Sequence, residues 1–180
     1  MIRLLVPKVP TADALLPYLR RIDESKWYTN FGQLTLELEQ RLSRHFEGAH
    51  VVSLSSCTLG LELVYELFFK NSGNPITLPA LTFPATRLAA RRAGVRVELC
   101  DVDPDTWVSP HVAAFGVPVN GPVIDAAAAF GEQKVAPHQT AVFSLHATKP
   151  VGAGEGGYIV TWDSDTAEIL RGMTNFGMMP

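Results

Sequence analysis

Lys149 is the first residue whose type and setting could do chemistry. It lies in Phe143–Gly157, FSLHATKPVGAGEGG, a short polar loop between two strand-like runs. A lone lysine is ordinarily a solvated surface charge. This one is flanked by Ser144, His146 and Thr148 and followed by Gly152, Gly154, Gly156 and Gly157. Glycines let a backbone adopt φ > 0 and approach a ligand closely. A lysine amine attacks a carbonyl only when unprotonated, a state that burial and neighbouring positive charge favour. Asp125 is the second candidate, in PVIDAAAAFG, after an apolar run and before four alanines. A carboxylate at the end of a buried strand is costly unless paired. It reads either as the N-cap of a helix from Ala126 or as the partner of a protonated ring nitrogen, and the two are compatible.

Two further segments could hold a ligand. In SSCTLGLEL, Ser55–Leu63, a strand gives way to a polar turn and a helix. Free N–H groups and the helix dipole at such a start attract anions. The Thr58 hydroxyl and the Leu59 amide are the candidate donors, against simple capping by Ser56 or Thr58. In PALTFPAT, Pro79–Thr86, Phe83 follows a strand and could lie flat on an aromatic ring, or belong to the core.

The elements that must position these residues alternate. Helices are expected over 12–25 with Thr11 as N-cap, over 33–46, from the Ser55–Thr58 turn to Phe69, over 82–93, and from a Ser164 or Asp165 cap towards Asn175. Leu34, Leu38, Leu42 and Phe46 share one face at spacing four. Strands are expected over 50–54, 75–78, 95–101, 123–125, 141–145 and 158–162. Alternating strands and helices indicate an α/β layer fold with a largely parallel sheet. Ligands in such sheets gather at the strands' carboxyl ends. There fall Ser55–Thr58, Asp125 and Ser144–Lys149.

Composition bounds the rest. The chain has 180 residues, 47% apolar and 18% charged, with net charge −3. That fits one folded domain. There is no Lys/Arg stripe for nucleic acid. Arg20-Arg21 and Arg91-Arg92 read as solvated helix faces. Cys57 and Cys100 are the only cysteines. They suggest neither a disulfide framework nor a zinc site, and a reducing cytoplasm is the default. No metal site is expected. MIRLLVPKVP lacks the long apolar core of a signal peptide, and no apolar run reaches membrane-spanning length.

In order along the chain, these segments resemble the DegT/DnrJ/StrS family of PLP-dependent sugar aminotransferases, of fold type I. The likeness runs from WYTNFGQLTLELEQRL (Trp27–Leu42) through HVVSLSSCTLGLEL, TLPALTFPAT and DVDPDTW (Asp101–Trp107) to VIDAAAAFG and FSLHATKPVGAGEGG. It implies a three-layer α/β/α fold with a mostly parallel mixed sheet. Residues 1–180 would be the PLP-binding large domain, without the small C-terminal domain of a family about twice this length. Within it, 1–32 would be an N-terminal helix and active-site-mouth loop, and 33–180 the sheet core.

The resemblance also implies roles. Lys149 matches the internal-aldimine lysine and Asp125 the aspartate facing the pyridine nitrogen. Thr58, the Leu59 amide and Ser144 match the phosphate-binding groups, and Phe83 the aromatic stacked on the cofactor. Thr29, Asn30 and Gly32 match a loop at the substrate mouth. The implied reaction moves an amino group from an amino acid, usually glutamate, to a keto-sugar nucleotide. Retention of the lysine favours this over the dehydratase branch, which carries histidine there. A homodimer or higher oligomer is implied. Three positions depart from the family: Cys57 stands for a glycine, Gln33 for a proline, and Ala128 for a Gln or His that would help fix cofactor or substrate. The rival expectation is a shortened, non-catalytic or partner-dependent subunit, one that pairs with a longer paralogue.

Overall fold

The computed structural model describes residues 5–113 and 116–178. Its central sheet is built from β1 (His50–Leu54), β4 (Val123–Asp125), β5 (Thr140–Ser144) and β6 (Gly157–Thr161), in the order β1-β6-β5-β4. β4 and β5 run parallel, while β6 is antiparallel to both of its neighbours. Three of the four strands therefore share one direction. Beyond Asp125, Val112 extends the edge through a parallel bridge. β2 (Ile76–Pro79) and β3 (Val97–Cys100) form a separate parallel pair. The mixed α/β fold expected from the sequence is present, with β6 as the reversed strand.

Period-two alternation sends side chains to both faces of the sheet. Val52, Val123, Val142 and Ile159 meet α3 (Cys57–Phe69), α4 (Pro84–Arg92) and α5 (Ser164–Met173) in one core. Val51, Ile124, Ala141, Phe143, Tyr158 and Val160 meet Phe46, at the end of α2 (Gln33–His45), and the irregular chain through Ala113, Val119 and Val135. The second outer layer is thus α2 plus non-helical chain. α1 (Ala12–Ser25) packs outside α2, tied by an Arg21–Glu37 ion pair at 2.7 Å. Arg21 is therefore bonded rather than simply solvated.

Local chemistry sets the boundaries. Thr11 Oγ1 accepts from the Ala14 amide and starts α1. Pro84 stands at N1 of α4, where a missing N–H costs nothing, and Phe83 before it is extended. The helix therefore begins two residues later than Thr82. The last helix is capped by Asp163, whose carboxylate accepts from the Thr166 amide at 3.0 Å, and not by Ser164 or Asp165. No helix follows Asp125. Its four alanines make turns instead, with Ala126 and Ala129 fully buried.

Candidate functional site

Lys149 sits in the connection between β5 and β6, a loop folded back on itself. The Leu145 amide donates to Gly156 O at 3.0 Å, Ala147 to Gly154 O at 2.8 Å and Lys149 to His146 O at 2.8 Å. Such tightness needs glycine. A Cβ on Gly152 would lie 2.6 Å from Ala147 O, and Gly154 and Gly156 have φ of +99° and +144°. Gly157 opens β6 against the start of α3, where a Cβ would meet the Cys57 nitrogen at 2.5 Å. The strand therefore brings the first amides of α3 close to the lysine loop.

Asp125 ends β4 and is 6% exposed. Its Oδ2 accepts from Thr86 Oγ1 at 2.6 Å and its Oδ1 from the Ala127 amide at 3.1 Å. Burial raises its carboxyl above the usual range, while Thr86, the Ala127 amide and the Lys149 charge pull it down. Burial also pushes the Cys57 thiol up, helped by the Asp125 charge and opposed by Lys149.

Two cavities of about 310 and 270 Å³ share Phe83, Asp125, Ala127 and Lys149 in their walls. The first continues against Leu81, Val112 and Ala128. The second reaches Ser56, Thr58, Ser144 and His146. Thr58, Phe83, Asp125, Ser144 and Lys149 therefore surround one continuous site. Phe83 is 74% exposed and forms its open side. Leu59 lies elsewhere: its amide donates to Ser56 Oγ at 3.2 Å, and its side chain lines an adjoining cavity of about 580 Å³. Thr29 and Asn30 also line that cavity, which meets the lysine site only through Glu155 and Gly156. Gly32 lines a different hollow with Trp27 and Tyr28. The N-terminal loop is thus next to the site rather than in it.

Two features escaped the sequence reading. Thr86 bonds Asp125, and its one signal was a hydroxyl on the face of α4 that also carries Ala89 and Ala90. His146 Nδ1 accepts from the Thr148 amide at 3.3 Å and lies 2.9 Å from its hydroxyl, leaving Nε2 3.7 Å from Glu155. Among the described residues, no cluster of His, Cys, Asp and Glu could hold a metal ion, and no helix is long and apolar enough to cross a membrane.

A buried carboxylate and a lysine line one cavity inside an α/β architecture that is shared with solved PLP-dependent aminotransferases. Two solved structures share the fold. One is a Bacillus cereus ATCC 10987 protein assigned as a PLP-dependent aminotransferase, with TM-score 0.87, 27% identity and coverage of 97% of this chain and 58% of that one. The other is DesI, solved with its TDP-sugar product, with TM-score 0.84, 28% identity and coverage of 99% and 54%. UDP-4-amino-4-deoxy-L-arabinose–oxoglutarate aminotransferase of Shewanella sediminis (strain HAW-EB3) is 30% identical over 187 residues, covering 86% of this chain and 48% of that protein. The chain matches the DegT/DnrJ/EryC1/StrS aminotransferase family over residues 11–117 and 112–180, and it belongs to that family. It spans about half the length of the curated relatives it matches.

Proposed function

We propose that this chain is the cofactor-binding part of a PLP-dependent aminotransferase that moves an amino group from an amino acid, glutamate foremost, to a keto-sugar nucleotide. The observation that carries the reading is the joint presence of Lys149 and Asp125 on one cavity with Phe83 at its open side. The cavity suits PLP chemically. A carboxylate buried this deeply calls for a cationic or N–H partner, and a protonated pyridine supplies one. The first turn of α3 lines the same cavity through Ser56 and Thr58, which gives an anion hydroxyl groups at a helix start.

When bound, PLP supplies an aldehyde for amine exchange and a ring that withdraws electrons. The chain's own residues do the rest. Asp125 holds the proton on the ring nitrogen. Thr58 and Ser144 donate hydroxyl hydrogen bonds to the phosphate. Leu59 adds its amide when the Ser56 hydroxyl turns away. Phe83 and Ala127 give the ring apolar walls. Lys149 Nζ would be the attachment point for the aldehyde and the group that holds or moves a proton at the substrate carbon. Thr29, Asn30 and Gly32 belong to the neighbouring loop, from which incoming substrate would be met. The relatives support the substrate class: the Shewanella enzyme's name joins a UDP-sugar to oxoglutarate, and DesI was solved with a TDP-sugar.

The proposed setting is the cytoplasm, and the proposed assembly is a homodimer or pairing with a longer paralogue that covers the open side. Residues 33–180 form the sheet core in this reading, and 1–32 the helix and mouth.

The test is uptake of PLP by the purified chain, followed by borohydride reduction and peptide mapping. The label is expected on Lys149. A label on Lys8, Lys70 or Lys134 would overturn the assignment. Assay of the pure chain with glutamate and a panel of keto-sugar nucleotides separates the two assemblies of function. Turnover by the chain alone removes the partner-dependent alternative, and turnover only with a longer relative supports it.

A further inference from the structure

Asp125 is held by a side chain that lines neither of the cavities around Lys149. Thr86 is fully buried in the first turn of α4, and its Oγ1 donates to Asp125 Oδ2. An ionised carboxylate only accepts, so the single hydroxyl proton of Thr86 is committed to it. The 3.3 Å contact between Thr82 Oγ1 and Thr86 Oγ1 is then directed, with Thr82 donating. A chain of hydroxyls runs from Thr82 in the cavity wall to Oδ2. Oδ1 is held separately by the Ala127 amide.

Three titratable side chains also surround this carboxylate. Lys149 faces it from the β5–β6 loop and acts on it through its charge. Cys57 and Tyr65 approach from α3 and feel its charge in turn. Cys57 Sγ is directed at Val142 O, 3.8 Å away, and the Tyr65 hydroxyl is buried with no hydrogen-bond partner. Among the described residues, Thr86 is the side-chain donor to Asp125.

We propose that Thr86 is the positioning residue of Asp125, fixing the carboxylate's orientation and keeping it ionised so that a proton stays on the nitrogen it faces. This rests on the reading of the cavity as a PLP site. Thr86 acts on the ring's protonation without touching the ring. A hydrogen bond to an ionised carboxylate is stronger than one between neutral groups. Without it, Asp125 holds the ring proton less firmly. The ring then withdraws fewer electrons, and the nitrogen joining Lys149 to the cofactor becomes more basic.

The experiment is a pH titration of the absorbance of Lys149-bound PLP in the unmodified chain and in Thr86→Ala, Thr86→Val and Thr86→Ser. The midpoint is expected to rise by roughly one pH unit in the Ala and Val variants. PLP should also dissociate about tenfold more readily from them. Thr86→Ser should restore both values, because it keeps the donor. A role in packing alone predicts no movement of the midpoint. Thr86→Ala leaves the helix intact and carries the test if the Val variant does not fold. An unmoved midpoint in Thr86→Ala, with borohydride still fixing PLP on Lys149, overturns the inference and leaves the cavity reading standing. Failure of the unmodified chain to hold PLP on Lys149 removes both.

Discussion

Burial of the Asp125 carboxylate costs more than Thr86, the Ala127 amide and the Lys149 charge together offset. Burial raises its carboxyl above the usual value of 3.8. Between that value and the raised one, the folded state binds more protons than the unfolded state. Stability therefore falls as pH rises through this window. The contribution is fully present below the ordinary value and lost above the raised one. Asp125→Asn removes the ionisation. The cofactor-free variant should melt above the unmodified chain at neutral pH, and the gap should close as the solution is acidified. The same variant should bind PLP at least about tenfold more weakly, equivalent to about 1.4 kcal/mol. Thermal melts across pH and a PLP titration check the two halves, and a variant that melts lower at every pH contradicts the argument. Lys149 and Asp125 were legible in the sequence because strand ends and glycine-rich turns are local signals. Thr86 was not, because its partner lies 39 positions away and only folding brings them together. The Leu59 amide is a case that sequence leaves open: the cap that holds it, Ser56, is local, and residue types do not decide between a cap and an anion.

At the scale of elements, the seating of α3 on the sheet decides whether its first turn faces the cavity. Two glycines permit the close approach, and they differ in what they touch. A Cβ on Gly60 would meet side-chain atoms of Leu54 and Val142, each at 2.6 Å. A Cβ on Gly157 would meet backbone at Cys57 and Ser56, which has less freedom than a side chain. Gly157→Ala should therefore destabilise by about 3 kcal/mol, the upper end of ordinary overpacking. Gly60→Ala should lose less, since alanine recovers about 1 kcal/mol of helix propensity. Urea unfolding ranks them, and equal losses would contradict this account. All eleven described elements were readable as helix or strand from periodicity and caps. Their edges shifted where a rule acted through the backbone, as at Pro84, or where two carboxylates one residue apart competed for a cap, as at Asp163 and Asp165. The helix that an N-cap reading of Asp125 allowed does not form: an alanine run favours helix locally, while the core takes Ala126 and Ala129 from a bent chain.

The whole molecule is joined by one polar network and left open along one helix. Glu39 on α2 accepts from the Ser53 amide at 2.9 Å and from Arg171 of α5 at 2.7 Å, and Arg171 also reaches Val51 O and the Phe31 ring. Glu39→Ala strands a largely buried guanidinium and should cost about 3 kcal/mol, whereas Glu39→Met with Arg171→Met should cost less. Chemical denaturation of the three proteins tests that ordering. α1 stands in contrast. None of its residues is buried, and Leu15, Leu16, Tyr18 and Leu19 are all 41–53% exposed. Its exposed ion pair with α2 adds little. Burying such exposed apolar side chains against a second chain is favourable. The purified chain should therefore sediment above its monomer mass of 19.6 kDa, increasingly so with concentration. Leu15→Asp with Leu19→Asp should return it to the monomer while leaving the core's unfolding transition in place. A chain that stays monomeric across the whole concentration range would mean that this face is tolerated in water, and that α1 contributes nothing to assembly.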